Sequence, residues 1–207
     1  MRILTSPSSI LRGDSMRRMG RILPAAVLFL MLLAGCTDAE ENSQYPTFPY
    51  THYSSGGTQE TYQAVILFEQ SNSTFTSYQV AFSSCPCRDA IDNYLSVAYV
   101  ELLNNKEDPS QAAVRAISFG ENQGLWGDSN PNYYRAEYTQ EYMDEHFVQT
   151  LVQADKSDFD DWGGYGTQIQ GVDVDAVAGA TVSTSNITSM LQGLFDYHTR
   201  HYYADTD

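Results

Sequence analysis

Positive charge is scarce in this chain. Of 207 residues only 11 are Lys or Arg, against 26 Asp and Glu, for a formal charge of −15. A surface of that sign repels nucleic acid and anionic headgroups and suits basic partners. Cysteine is scarcer still, with Cys36, Cys85 and Cys87 alone, and a metal cluster or zinc site would need more thiols or nearby His ligands than these provide. A long apolar run is missing as well. The most apolar stretch, residues 22–34, is interrupted by Pro24 and falls short of the ~20 residues that a spanning helix needs. There is no internal repeat and no low-complexity tract. Aromatic residues are plentiful, mostly among the 15 Tyr, which argues for a packed domain rather than a disordered chain.

The apolar run has the order of a targeting segment. Arg17, Arg18 and Arg21 precede it, and it closes on the small residues Ala34 and Gly35 just before Cys36. Leu33-Ala34-Gly35-Cys36 resembles the lipobox of bacterial lipoproteins, where the signal is cut before the cysteine and the new terminus is acylated. The resemblance implies a signal peptide over 1–35 and a lipid anchor (palmitate or a related acyl chain) on Cys36, with the domain held at the extracytoplasmic face of the cell membrane. Two acyl chains suffice for stable anchoring where one does not. An ordinary signal peptide with a chance cysteine is the plainer reading. The residues ahead of Met16 have no signal character, which leaves Met16 and Met19 open as starts. Beyond residue 35, six bases face 25 acids, a formal charge of −19.

Residues 36–59 are polar, with Pro46, Pro49 and the Gly56-Gly57 pair and no sustained period, and read as a tether. Residues 60–207 are then expected to form one α+β domain, a mixed or antiparallel sheet packed by two main helices. Residues 61–68 are apolar and β-prone, and 75–82 alternate Phe75, Ser77 and Gln79 against Thr76, Tyr78 and Val80. With Ser71-Asn72-Ser73 between them as turn residues, they predict an antiparallel pair. Residues 96–103 and 112–119 are short apolar segments whose periodicity allows strand or helix. Thr139 can cap a helix beginning at Gln140, with Glu141, Asp144 and Glu145 in its early turns and a stripe of Met143, Phe147, Val148, Leu151 and Val152. Residues 158–166 read as a loop and 168–174 as a short strand. The last helix is expected to begin near Ser183 or Thr184 and to pack Ile187, Met190, Leu191, Leu194, Phe195 and His198 on the sheet.

The junction before that helix carries the chemistry. Residues 175–185, DAVAGATVSTS, place small residues where the chain must turn and hydroxyls where a helix starts. Helix N-terminal amides are unpaired and the dipole there favours negative charge, so the junction suits a phosphate. Gly179 and Ala180 allow close approach of a bulky group, and Ser183, Thr184 and Ser185 can cap the helix or donate to phosphate oxygens. This stretch resembles the flavinylation motif of the FMN-binding domain family, found in covalently flavinylated subunits of the sodium-pumping NADH:quinone reductase and of Rnf-type complexes. Asp175, Gly179, Ala180 and Thr181 match the pattern. Ala178 departs from it, standing where Ser or Thr is usual.

The resemblance implies an electron-transfer flavoprotein, more an electron carrier or redox subunit than a self-standing enzyme. FMN would be esterified to Thr181 by an FAD-dependent FMN transferase that recognises Asp175 and the Gly-Ala pair. A membrane redox complex or an extracytoplasmic flavoprotein would be its electron partner. No general acid, base or nucleophile is required of the chain, because the redox chemistry belongs to the cofactor.

Other features carry competing readings. Cys85-Pro86-Cys87 could form a strained, reducible disulfide that relays electrons, a static clip, or two free thiols. His198 and His201 have a metal-compatible spacing, although His198 also falls on the apolar stripe. Trp126, and Trp162 with Gly163, Gly164 and Tyr165, could stack on a flavin or simply pack. The acidic run Asp158, Asp160 and Asp161 lacks the glycine and terminal Glu of a calcium loop. Two alternatives to the flavin carrier follow: a surface lipoprotein that captures a ligand without a cofactor, and a thiol-disulfide redox protein using Cys85 and Cys87.

Overall fold

A computed structural model of the chain describes residues 44–84, 95–105, 107–120, 140–170 and 180–203. Five antiparallel strands lie in sequence order across one sheet: β1 Thr47–Tyr53, β2 Gln59–Ser71, β3 Phe75–Phe82, β4 Ser96–Leu103 and β5 Val114–Phe119. Every strand is followed by its neighbour in space, as short connections require. The β2–β3 pair expected from alternation forms with Ser71 opposite Thr76. Its turn is built by Asn72, whose Oδ1 accepts the Thr74 and Phe75 amides at 2.8 and 3.0 Å, a side chain standing in for backbone. The two segments that periodicity left open are both strands, β4 and β5.

Residues 47–53, read from the sequence as part of the tether, are the edge strand β1. Phe48, Tyr50 and His52 point into the interior, alternating with more open Thr47, Pro49 and Thr51. The glycine pair assigned to the same tether is the β1–β2 turn, where Gly56 and Gly57 take φ of 87° and 81°, a conformation that side chains disfavour.

The helices bury one face of the sheet. Residues 140–151 are helical as expected, but in three pieces: α1 Gln140–Met143, a π turn Asp144–Val148 and a 3-10 turn Gln149–Leu151. Met143, Phe147, Val148 and Leu151 are buried, as the stripe anticipated. The proposed cap Thr139 lies outside the described residues. Part of the expected loop 158–166 is instead a short helix, α2 Lys156–Asp160. Asp155 caps it, accepting the Asp158 amide while the Asp158 carboxylate accepts the Asp155 amide. The acidic run thus acts as helix termini and as partner to Lys156, whose Nζ reaches Asp160 at 2.7 Å and Asp196 at 3.0 Å. Of the strand expected over 168–174, residues 168–170 are not extended in a sheet and the rest lie outside the described residues.

The last helix, α3 Thr181–Tyr203, starts two residues earlier than expected and runs 23 residues, about 34 Å. Ile187, Met190, Leu191, Leu194, Phe195 and His198 are all buried. Beside that apolar stripe runs a second, polar and small: Asn186, Ser189 and Gly193. It lies along the open edge of β1. Tyr53 N–H donates to Asn186 Oδ1 at 2.6 Å and Asn186 Nδ2 donates back to Tyr53 O at 3.0 Å. Thr51 N–H donates to Ser189 Oγ at 3.0 Å. At Gly193 the backbones approach so closely that a Cβ would stand 2.5 Å from Pro49 O. Pro49 itself has no amide hydrogen to satisfy. The helix therefore does to β1 what a sixth strand would, and closes an edge that would otherwise be open to other chains. Towards the C-terminus Tyr197 and Tyr202 donate to the Glu69 carboxylate, tying the helix to β2 as well.

Candidate functional site

The start of α3 is the candidate site. Thr184 N–H bonds to Ala180 O at 3.0 Å, which closes the first turn and makes Thr181 the first helical residue. The amides of Thr181 and Val182 then have no carbonyl within the helix to bond to, and point out of its positive end. This highly acidic chain has no acid in that first turn, and Arg200 and His201 sit in the last turn, so side-chain charge reinforces the helix dipole at both ends. Thr181 and Ala180 are half-buried and Ser183 is buried. The Thr184 hydroxyl donates to the Ala180 and Thr181 carbonyls, both at 3.2 Å, and stiffens the turn from within. Asp175 and Gly179 lie outside the described residues, as do Cys36, Cys85, Cys87 and Trp126.

A loop from the other side completes the site. Gly166 N–H donates to Ser185 Oγ at 3.2 Å, docking residues 164–167 on the first turns of α3. Gly166 takes φ of 72°, and a Cβ there would stand 3.5 Å from Thr181 Cγ2. Trp162 is buried, with its indole N–H donated to Thr167 O at 3.1 Å and its ring edge-on to Tyr53. Tyr165 is half-buried and tilts against Tyr53, with ring centroids 5.7 Å apart. Burial raises the Tyr53 hydroxyl above the usual phenol range. Next to it, fully buried His52 stacks on Tyr62 at 4.1 Å, and its Nδ1 has no hydrogen-bond partner. Burial lowers its pKa, against a smaller opposing pull from Glu60.

Thr181 thus stands in the first turn of α3, and a side chain on Gly166 would fill the space beside its methyl. A phosphate bound to the threonine oxygen would sit among outward-facing amides, with no acid in that turn. The residues present fit a phosphate-bearing cofactor.

His198 and His201 do not come together. His198 is fully buried with Nδ1 2.7 Å from the Tyr78 hydroxyl, and His201 is exposed and stacked on Tyr197. Burial, with a smaller contribution from His201, pushes the His198 pKa down to about 4. Among the described residues no three His, Cys, Asp or Glu side chains are grouped to hold a metal. None of the described helices is long and apolar enough to cross a membrane.

The residues that sequence reasoning missed are Tyr53, Asn186, Ser189 and Gly193. Their one signal in the sequence is the small or polar residues at 186, 189 and 193, a helical spacing beside the apolar stripe.

Taken together, a five-stranded antiparallel sheet covered by helices, with the long α3 closing its β1 edge, defines an α+β domain. Residues 90–196, more than half of the chain, match the family model of the FMN-binding domain, and the chain belongs to that family. It is a flavin-binding protein. No curated protein and no solved structure matches it. The matched segment runs from before β4 into α3, and leaves β1, β2 and β3 outside it.

Proposed function

We propose that this protein is an extracytoplasmic electron carrier whose FMN is esterified through its phosphate to Thr181. The observation that carries this reading is Thr181 itself, the first residue of a long helix, half-buried beside Gly166, in a family that binds FMN. Thr181 Oγ would form the new P–O bond and lose its proton as AMP leaves from FAD, the donor used by an FMN transferase. The amides of Thr181 and Val182 would then face the phosphate, with no acid in that turn to oppose it. Asp175, Gly179 and Ala180 would be the transferase's recognition elements, and Ser183 and Thr184 would shape the turn.

FMN supplies one- and two-electron redox chemistry. The chain positions it, shields it and keeps it from diffusing away, since a non-covalent ligand has a finite residence time. The acidic surface favours a partner with a basic face. Lipidation of Cys36 would keep the carrier beside a membrane redox complex or an extracytoplasmic flavoprotein, the proposed electron partners.

Intact mass of the domain co-expressed with an FMN transferase tests the reading, beside Thr181→Val prepared identically. A gain of one FMN less water in the natural sequence, absent from the variant, is the expected result. No gain, with a control substrate modified in the same cells, would overturn it.

A further inference from the structure

The family match says that flavin is bound and the motif suggests where it is attached, but neither says what the isoalloxazine ring rests on. A flavin joined through a flexible ribityl chain at Thr181 reaches only surfaces near the start of α3, so the aromatic groups there decide the matter. Three lie together: Tyr53, Trp162 and Tyr165. Trp162 is buried and its N–H is committed to Thr167 O. Tyr53 is buried in turn and carries the other two rings on its surface. Tyr165 differs from both. It is half-buried, and it directly precedes Gly166, whose amide is bound to Ser185 and whose Cα hydrogens face the Thr181 methyl.

The placement of Tyr165 is also braced. A Cβ on Gly57 would stand 3.0 Å from Tyr165 Cδ1, so the ring lies on bare backbone at the β1–β2 turn. Gly57 takes φ of 81°, and Gly164 and Gly166 on either side take 91° and 72°. The missing side chain of Gly57 thus makes room for the edge of this ring, and Tyr53 tilts against it with centroids 5.7 Å apart.

We propose that Tyr165 is the aromatic wall of the flavin site, the ring on which the isoalloxazine attached at Thr181 stacks. This rests on the attachment reading above. Offset stacking of flat rings is favourable and would hold one face of the flavin away from water. It has an optical consequence that does not depend on turnover. A phenol in contact with a photoexcited flavin donates an electron that returns at once, with no net chemistry, and the emission is quenched.

The natural chain, Tyr165→Phe and Tyr165→Leu would be loaded by the transferase and their FMN content read by intact mass, then flavin emission lifetime and quenching by iodide measured. The expected result, for each chain that carries flavin, is a several-fold longer lifetime in both variants and greater iodide access in Tyr165→Leu alone, because phenylalanine keeps the shield while losing the electron donor. Circular dichroism of each variant establishes that it is folded. Loaded, folded chains whose lifetimes and iodide access ignore residue 165 would overturn this inference and leave the attachment reading standing. An absence of adduct on the natural chain would overturn both.

Discussion

The carboxamide of Asn186 is hydrogen-bonded to both backbone groups of Tyr53, accepting its N–H at 2.6 Å and donating to its carbonyl at 3.0 Å, and it donates also to Ser84 O at 2.8 Å. One buried side chain thereby joins α3, the edge of β1 and the backbone just after β3. Asn186→Leu keeps the branched heavy-atom frame and removes these three bonds together with the longer one to His52 Nε2 at 3.5 Å, taking a partner from three buried backbone groups. Unpaired buried groups cost about 1–3 kcal/mol each before relaxation, so a net loss of roughly 3 kcal/mol is expected, a fall of about 10 °C in Tm for a domain this size. Thermal unfolding of the two proteins checks it.

Gly193→Ala tests the close approach at the same edge. Alanine is favoured over glycine in a helix by about 1 kcal/mol, and were the site open the change would stabilise. Here the new Cβ would meet Pro49 O at 2.5 Å and the Phe48 ring at 3.1 Å, and a backbone oxygen cannot swing aside. The expected outcome is a net destabilisation of roughly 2 kcal/mol, in the range that overpacking costs, read as a lower urea midpoint.

His198 gives the domain an acid-sensitive core. Burial favours its neutral form, so its folded pKa of about 4 lies below the ordinary 6.5 of the unfolded chain. Between those values the unfolded state binds more protons, and stability therefore rises with pH through the window and is lost as acid is added. The full effect of such a shift is roughly 3 kcal/mol. Urea midpoints between pH 7 and pH 4 should fall steeply in the natural protein and less steeply in His198→Leu, which lowers stability at pH 7 by removing one partner of the Tyr78 hydroxyl but also removes the titration.

Gly166→Val should separate flavin loading from folding. A branched side chain is strained at φ of 72° by about 1–2 kcal/mol and fills the space beside the Thr181 methyl. The domain should stay folded by circular dichroism, while the fraction of chains carrying FMN by intact mass drops several-fold.

Where local pattern and tertiary role agree, the amino-acid order was sufficient. The β2–β3 hairpin follows from alternation about an Asn-centred turn. The stripe from Ile187 to His198 is buried along its length, and the junction at Thr181 carries its own signal in small residues and hydroxyls. β1 was not legible, because its outward backbone groups are satisfied by side chains 133 and 138 residues away, Asn186 and Ser189, and no local period encodes that. Its proline and the glycine pair after it look like linker chemistry until the helix that needs them is in view. The same applies to α2, where Asp158 read in sequence as the start of a loop but forms a reciprocal cap with Asp155. In the site, Trp162 and Tyr165 looked equivalent as ring partners, and burial separates them: one is a core residue and the other is half-buried in the loop that Gly166 docks on α3.

The covering of β1 by α3 also defines what can be moved. A fragment cut to the family boundary at residue 90 would keep the helix and its threonine but discard the strand that receives Asn186, Ser189 and Gly193. The apolar stripe would lose most of its sheet. The smallest portable flavin-carrying cassette, for grafting onto another protein or for trimming by evolution, therefore begins before Thr47 and ends after Tyr203, and the three strands ahead of the family segment travel with it as part of the same folding unit.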